Sequence, residues 1–150
     1  MARRALTVVL AMLAAVLLVA TPAHATYGPP NPVTLEVYYG TTKLSGLYGT
    51  LSFDDGNTRF AYSLAVCRES SYTPPNVWYT VNGGGRVPIS GGGSSVTIPQ
   101  CRYPAYLISG EPAPGVVVGT VALIIDGVYF TPQNGAIFRE RSTWWDNPYN

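Results

Sequence analysis

Short stretches in which apolar and polar residues alternate recur along most of this chain. The segment VTLEVYY, residues 33–39, places every second side chain on one side, namely Val33, Leu35, Val37 and Tyr39. Alternation with a period of two is typical of a strand that buries one of its faces. We therefore predict a half-buried strand here.

Two further alternating segments, residues 47–53 and 60–66, are separated by DDGN, residues 54–57. An Asp-Gly pair tolerates the positive φ angles of a tight turn. The two alternating segments and the turn between them predict an antiparallel hairpin. Clustered acids on a turn can also suit calcium, but the later acidic ligands of a calcium loop are missing, so the turn is preferred.

Further strands are predicted at NVWYTV, residues 76–81, and at VVVGTVALII, residues 116–125, the most apolar part of the chain beyond its first 25 residues. The pairs Asp126-Gly127 and Asn134-Gly135 are predicted to form turns. A helical period of 3.6 residues is not sustained anywhere beyond residue 25. The pattern predicts an all-β fold: a single antiparallel β-sandwich of immunoglobulin-like or related Greek-key type, or a barrel.

The first residues follow a different pattern. Arg3 and Arg4 precede an apolar run over residues 5–20, and Ala23-His24-Ala25 offers small residues on both sides of the histidine. This is the pattern of a secretory signal peptide over residues 1–25, and the run is shorter than the roughly 20 apolar residues of a membrane span. A retained N-terminal anchor is the alternative. We predict a flexible, proline-rich arm over residues 26–32, a β-sandwich domain over residues 33–150, and a secreted, extracellular protein.

The two cysteines, Cys67 and Cys101, form an even pair in a chain that we expect to be exported. In an oxidising compartment such a pair predicts a structural disulfide. Two free buried thiols are the alternative.

Charge limits the partners. Without Arg3 and Arg4, seven basic side chains face eight acidic ones, which gives a net charge of −1. Nucleic-acid binding and attraction to an anionic membrane both need a positive surface. We therefore expect no nucleic-acid partner and no membrane insertion after the leader is removed.

Candidate catalytic groups are few, because the single histidine, His24, belongs to the predicted leader. Histidine-dependent nucleophilic catalysis and histidine-based zinc sites are then excluded, and disulfide sulfurs do not ligate zinc. A glycosidase needs two carboxylates across one cleft, and the eight acids show no pairing in the sequence. We predict a protein that is not an enzyme and has no cofactor or metal.

Aromatic residues are plentiful, with 11 Tyr, 3 Trp and 4 Phe. Trp78 is predicted to lie on an outer face, while Trp144, Trp145 and Tyr149 belong to the polar tail STWWDNPYN. Exposed rings on a rigid scaffold can stack on sugars or anchor a protein partner. Capping an open end of the sandwich is an equally good interpretation of the tail. We predict binding of an extracellular polysaccharide or protein.

The order of the later segments supplies an alternative. A cysteine beside a proline-containing loop, CRYPAY at residues 101–106, is followed by VALIIDGVYF and AIFRERST. This order resembles the secreted subtilisin-inhibitor family of actinomycetes, which however has two disulfides and helical segments. The resemblance implies protease inhibition by a contact loop that contains Arg102 and Tyr103. A structural role at a cell surface is a third hypothesis.

Overall fold

The computed structural model describes residues 26–90 and 93–150, so the predicted leader lies outside the described residues. The described residues form nine strands and contain no helix. The strands are β1 (Asn31–Tyr39), β2 (Thr42–Phe53), β3 (Phe60–Arg68), β4 (Val77–Val81), β5 (Val87–Pro88), β6 (Ser95–Val96), β7 (Ala105–Gly110), β8 (Thr120–Thr131) and β9 (Gly135–Asp146).

The strands form two antiparallel sheets that pack face to face. The first sheet has the order β1-β2-β3-β7-β6, and the second has the order β5-β4-β8-β9. The chain builds β1 to β3 as a meander, crosses to the second sheet for β4 and β5, returns for β6 and β7, and ends in the second sheet. The predicted all-β sandwich is confirmed.

Between the sheets lies one core of aliphatic and aromatic side chains. The predicted hairpin is present, with Phe53 paired to Phe60 across its closed end. The alternation predicted for the first strand also holds, since Val33, Leu35 and Val37 are all buried. Inward positions of the two sheets thus meet as the sequence pattern requires.

The strand predicted over the most apolar segment, residues 116–125, begins later than predicted. Val116 and Val117 are exposed, and β8 starts only at Thr120. The turn predicted at Asp126-Gly127 is wrong, because both residues lie inside β8. A side-chain carbon on Gly127 would lie 2.7 Å from Leu44 Cβ of the facing sheet, so glycine here serves close packing between the sheets and not a turn.

Residues 26–32, predicted as a flexible proline-rich arm, form backbone contacts with the rest of the domain. The amide of Gly28 donates to the carbonyl of Phe53 at 3.0 Å, and Tyr27 forms a β-bridge with Asp54. The first strand already begins at Asn31. Backbone hydrogen bonds therefore fix this segment against the end of the β2–β3 hairpin.

The predicted disulfide between Cys67 and Cys101 is present, with the Cα atoms 5.5 Å apart. It does not join the two sheets as in antibody domains. Cys67 lies near the end of β3 and clusters with Ala65 and Ala105 on the outer side of the first sheet, and Cys101 packs against this cluster. The bond therefore ties the segment before β7 to the strand beside β7. No helix capable of crossing a membrane occurs within residues 26–90 and 93–150.

Candidate binding face

The outer surface of the second sheet brings aromatic side chains together. Trp78 of β4 lies directly opposite Ile124 of β8, and Ala122 of β8 lies directly opposite Trp144 of β9. Side chains directly opposite in a sheet share a face, and so do residues two apart on one strand. Trp78 and Trp144 therefore lie on the same outer surface, as predicted for Trp78 from its inward neighbours.

Phe138 extends this surface along β9. It is paired with Val128 of β8, which is four residues beyond Ile124 and on the same side of the strand. Beyond it, the ring of Phe130 stacks on Tyr72 with ring centroids 5.0 Å apart. We call the surface formed by Tyr72, Trp78, Phe130, Phe138 and Trp144 the aromatic face.

Most of the aromatic face is accessible to solvent. Trp144 is 70% exposed and Phe138 is 68% exposed. These two residues are six positions apart on one strand, which corresponds to about 20 Å at the rise of a β-strand. Large apolar side chains gathered on one exposed surface are typical of an interaction site.

A cavity of about 290 Å³ lies between two of these rings. Trp78 and Phe138 line it together with Asp126, Arg139 and Glu140. Asp126 and Glu140 are directly opposite each other on β8 and β9, so two carboxylates share the same face. Acceptors of hydrogen bonds thus lie beside flat apolar rings.

Both carboxylates are held by neighbours. Asp126 accepts hydrogen bonds from the backbone amide of Asn76 at 2.7 Å and from its side-chain amide at 2.8 Å. Glu140 accepts two hydrogen bonds from the guanidinium of Arg86, each 2.9 Å long. These bonds from Arg86 lower the pKa of Glu140. The cavity therefore has fixed acceptors.

The Arg86–Glu140 ion pair crosses the face. Arg86 precedes β5 and Glu140 lies on β9, so the pair reaches over β4 and β8. The Arg86 Cζ atom also lies 5.8 Å from the centre of the Trp78 ring, a cation–π contact. This pair joins the two outer strands of the second sheet and orients the ring that lines the cavity.

The other predicted aromatic residues of the tail lie elsewhere. Trp145 points to the opposite side of β9 from Trp144 and packs half-buried against the core. Tyr149 is 41% exposed and its ring lies against Gly28. Its carbonyl also accepts a hydrogen bond from the side-chain amide of Asn57 at 2.6 Å. Of the tail residues, only Trp144 joins the aromatic face.

Arg102 and Tyr103 belong to the segment that covers the first sheet, away from the aromatic face. Tyr103 is exposed, and the Arg102 Cζ atom lies 5.4 Å from its ring centre. The backbone amide of Arg102 donates to both carboxylate oxygens of Glu69, at 3.1 and 3.2 Å. The disulfide and this contact hold the loop in place.

One close group of potential metal ligands occurs in the described part of the chain. Ligand atoms of Cys67, Glu69 and Cys101 lie within 4.8 Å of one another. Both sulfur atoms are joined in the disulfide and offer no thiolate to a metal ion. This group is therefore part of the structural tie.

Sequence reasoning missed several members of the face. Phe138 and Trp144 are an even number of residues apart in one strand, so the sequence could have placed both side chains on the same face. The turn predicted at Asp126-Gly127 gives no indication that Asp126 lies opposite Glu140. The stacking of Tyr72 on Phe130 joins a loop to a distant strand and leaves no trace in local periodicity.

Comparison with known proteins provides no assignment. No protein-family model, curated protein or solved structure matches this chain. The helical segments of the inhibitor family have no counterpart among the described residues.

Proposed function

We propose that this is a secreted, non-catalytic binding protein that holds an extracellular polysaccharide on its aromatic face. The observation that carries the proposal is the cavity in which Trp78 and Phe138 flank the carboxylates of Asp126 and Glu140. Apolar sugar faces stack on aromatic rings, while sugar hydroxyls donate hydrogen bonds to carboxylates. The cavity offers both kinds of contact within one site.

The shape of the surface favours a chain over a small molecule. Exposed rings extend from Trp144 past Trp78 to Phe138, along about 20 Å of strand. Each ring can bury a large area with little loss of side-chain entropy, because aromatic side chains have only two rotatable bonds. Several rings in succession suit a ligand that repeats.

The fixed carboxylates support a binding role over a catalytic one. Glycoside hydrolysis needs one carboxylic acid with a raised pKa that can donate a proton. Arg86 instead lowers the pKa of Glu140. Asp126 accepts two hydrogen bonds from Asn76, which hold its carboxylate in one position beside Trp78 and Phe138.

Secretion is part of the same proposal. Its support is the signal-peptide pattern over residues 1–25 and the disulfide between Cys67 and Cys101, which is typical of oxidising compartments.

The test is retention on insoluble cellulose, chitin and cell-wall polysaccharide. We expect Trp78→Ala and Phe138→Ala each to weaken retention on the preferred material by about tenfold or more, since each removes a stacking ring worth roughly 1–3 kcal/mol. Thermal unfolding of each variant establishes that the domain is folded.

Tyr103→Ala is the matched control, because Tyr103 is an exposed aromatic residue in the loop before β7, away from the aromatic face. It should bind like the unaltered protein. Equal retention of all three variants, or retention on none of the materials by the unaltered protein, contradicts the proposal.

A second candidate function is inhibition of a secreted protease by the loop that contains Arg102 and Tyr103. Its support is the exposure of this loop and its attachment through the disulfide and Glu69. A rigid, exposed loop loses little entropy when it binds. Stoichiometric inhibition of a trypsin- or subtilisin-like protease, abolished by Arg102→Ala or Tyr103→Ala, is the expected result. Absence of inhibition at equimolar protein removes this candidate.

A further inference from the structure

A second and larger cavity lies at the side of the sandwich where both sheets end. It has a volume of about 500 Å³ and is bordered by β1, the edge strand of the first sheet, and β9, the edge strand of the second. We call it the edge cleft. An edge strand has free backbone donors and acceptors along one side. The edge cleft therefore combines backbone polar groups with the side chains that line it.

Two arginines of β9, Arg139 and Arg141, line the edge cleft. They are two residues apart and so project from the same side of the strand. Neither forms an ion pair with a carboxylate in the described part of the chain. The Arg139 Cζ atom lies 5.3 Å from the centre of the Tyr39 ring, which positions this guanidinium without neutralising it.

The two carboxylates that line the edge cleft are already engaged. Glu36 forms an ion pair with Lys43, with a nitrogen–oxygen distance of 2.8 Å, and accepts hydrogen bonds from the hydroxyls of Tyr38 and Tyr48. Glu140 is bound by Arg86 on the aromatic face. The charges of Arg139 and Arg141 are therefore in excess, and the edge cleft is suited to an anion.

The edge cleft and the cavity of the aromatic face lie on opposite sides of β9. Arg139 and Glu140 line both, since β9 separates the two. Because β9 is an edge strand, a ligand chain that stacks on Phe138 can pass over its free edge and place its next unit at Arg141. Guanidinium groups bind carboxylates with two parallel hydrogen bonds, which gives both affinity and orientation.

We propose that the edge cleft is a subsite for the carboxylate of a uronic-acid unit, so that the polysaccharide bound by this protein is an acidic one. This inference rests on the proposed function, because it places the acidic unit beside a sugar stacked on the aromatic face. Arg141 binds the carboxylate, and Arg139 contributes from the junction of the two sites.

The experiment compares each acidic oligosaccharide with its own methyl ester, which keeps the sugar and removes the charge. Oligomers of galacturonic acid, of alginate and of hyaluronan are titrated against the full secreted protein by calorimetry. We expect at least one acid form to bind about tenfold or more tightly than its ester, as expected for a charge-assisted pair. Arg141→Gln should remove this preference and leave binding of the ester unchanged.

Arg59→Gln is the matched control, because Arg59 is exposed and does not line the edge cleft. It should retain the preference. The inference is overturned if no acid form is preferred over its ester, or if Arg141→Gln leaves the preference intact. Equal loss of acid and ester binding in Arg141→Gln also overturns it, since that marks a general effect on the fold.

Two outcomes separate this inference from the proposed function. If Trp78→Ala binds every ligand like the unaltered protein while Arg141→Gln loses the acid preference, the aromatic face is refuted and the anion subsite stands. If polyglutamate binds through Arg141 as tightly as the preferred uronic-acid oligomer, an acidic peptide is the ligand and the sugar assignment is refuted.

Discussion

Removing the disulfide is the change whose cost follows most directly from the fold. We consider the double variant Cys67→Ala/Cys101→Ala, which leaves no free thiol. The two cysteines are separated by 34 positions. In the chain-entropy treatment, a crosslink that closes a loop of this length stabilises the folded state by about 4 kcal/mol.

The native environment adds a smaller contribution. Cys67 is fully buried beside Ala65 and Ala105, so replacing its sulfur by hydrogen leaves a small gap there. We expect a total loss of about 4–5 kcal/mol. For a domain of this size, that loss corresponds to a decrease in melting temperature of roughly 15 °C.

The assay is urea unfolding followed by tryptophan fluorescence, with calorimetry in parallel. Unaltered protein treated with a reductant serves as an independent route to the same open chain. A loss below about 1 kcal/mol by both routes refutes the entropic reasoning. Since the disulfide and the aromatic face are on different sheets, the double variant should retain the proposed polysaccharide binding at low temperature, where it remains folded.

Three further predictions concern single residues. Hydrogen bonds from Lys43, Tyr48 and Tyr38 lower the pKa of Glu36 from 4.5 to about 2. The contribution of Glu36 to stability is therefore fully present above pH 4.5 and is lost as the pH falls through about 2. Glu36→Gln should cost about 1 kcal/mol in urea unfolding at pH 7 and clearly less at pH 2. Asp54 is only 1% exposed, and its carboxylate accepts hydrogen bonds from two backbone amides of its turn, at 2.8 and 2.9 Å. Asp54→Ala should therefore cost about 2 kcal/mol in the same assay. Gly127→Ala should cost about 1–3 kcal/mol of stability, because the added methyl group meets Leu44 of the facing sheet. Gly85→Ala is the control: it has open space around it and should change stability by less than about 0.5 kcal/mol. Equal effects of the two substitutions would contradict the packing argument.

The strands could be predicted where one face is buried and the other is not. The alternation over residues 33–39 and the hairpin around Asp54 follow from local chemistry, and both are present. Prediction failed at Gly127, because a glycine within a strand and a glycine in a turn look alike in sequence. Only the nearby Leu44 of the other sheet distinguishes the two.

The candidate site was predictable only in part. Trp78 could be placed on an outer face because its neighbours alternate inward, but its partners across the cavity come from a strand far away in sequence. The adjacent residues Trp144 and Trp145 were grouped together, although a β-strand necessarily directs adjacent side chains to opposite faces. The pairing of distant strands determines which side chains lie opposite each other. This pairing depends on packing throughout the core and cannot be inferred from one segment.

The second sheet consists of two hairpins, β4–β5 and β8–β9, that are far apart in the sequence. Its first hairpin ends before residue 90, and β8 begins only at Thr120, so pairing of β4 with β8 must wait for the last part of the polypeptide. The cavity of the aromatic face is lined by residues of both hairpins, and a chain that has formed only the first sheet lacks it. The proposed saccharide ligand should therefore bind only the completed fold. At one hundred times its dissociation constant it would stabilise that fold against unfolding by about 2.7 kcal/mol. Saccharide present during unfolding is then expected to slow the separation of the two hairpins.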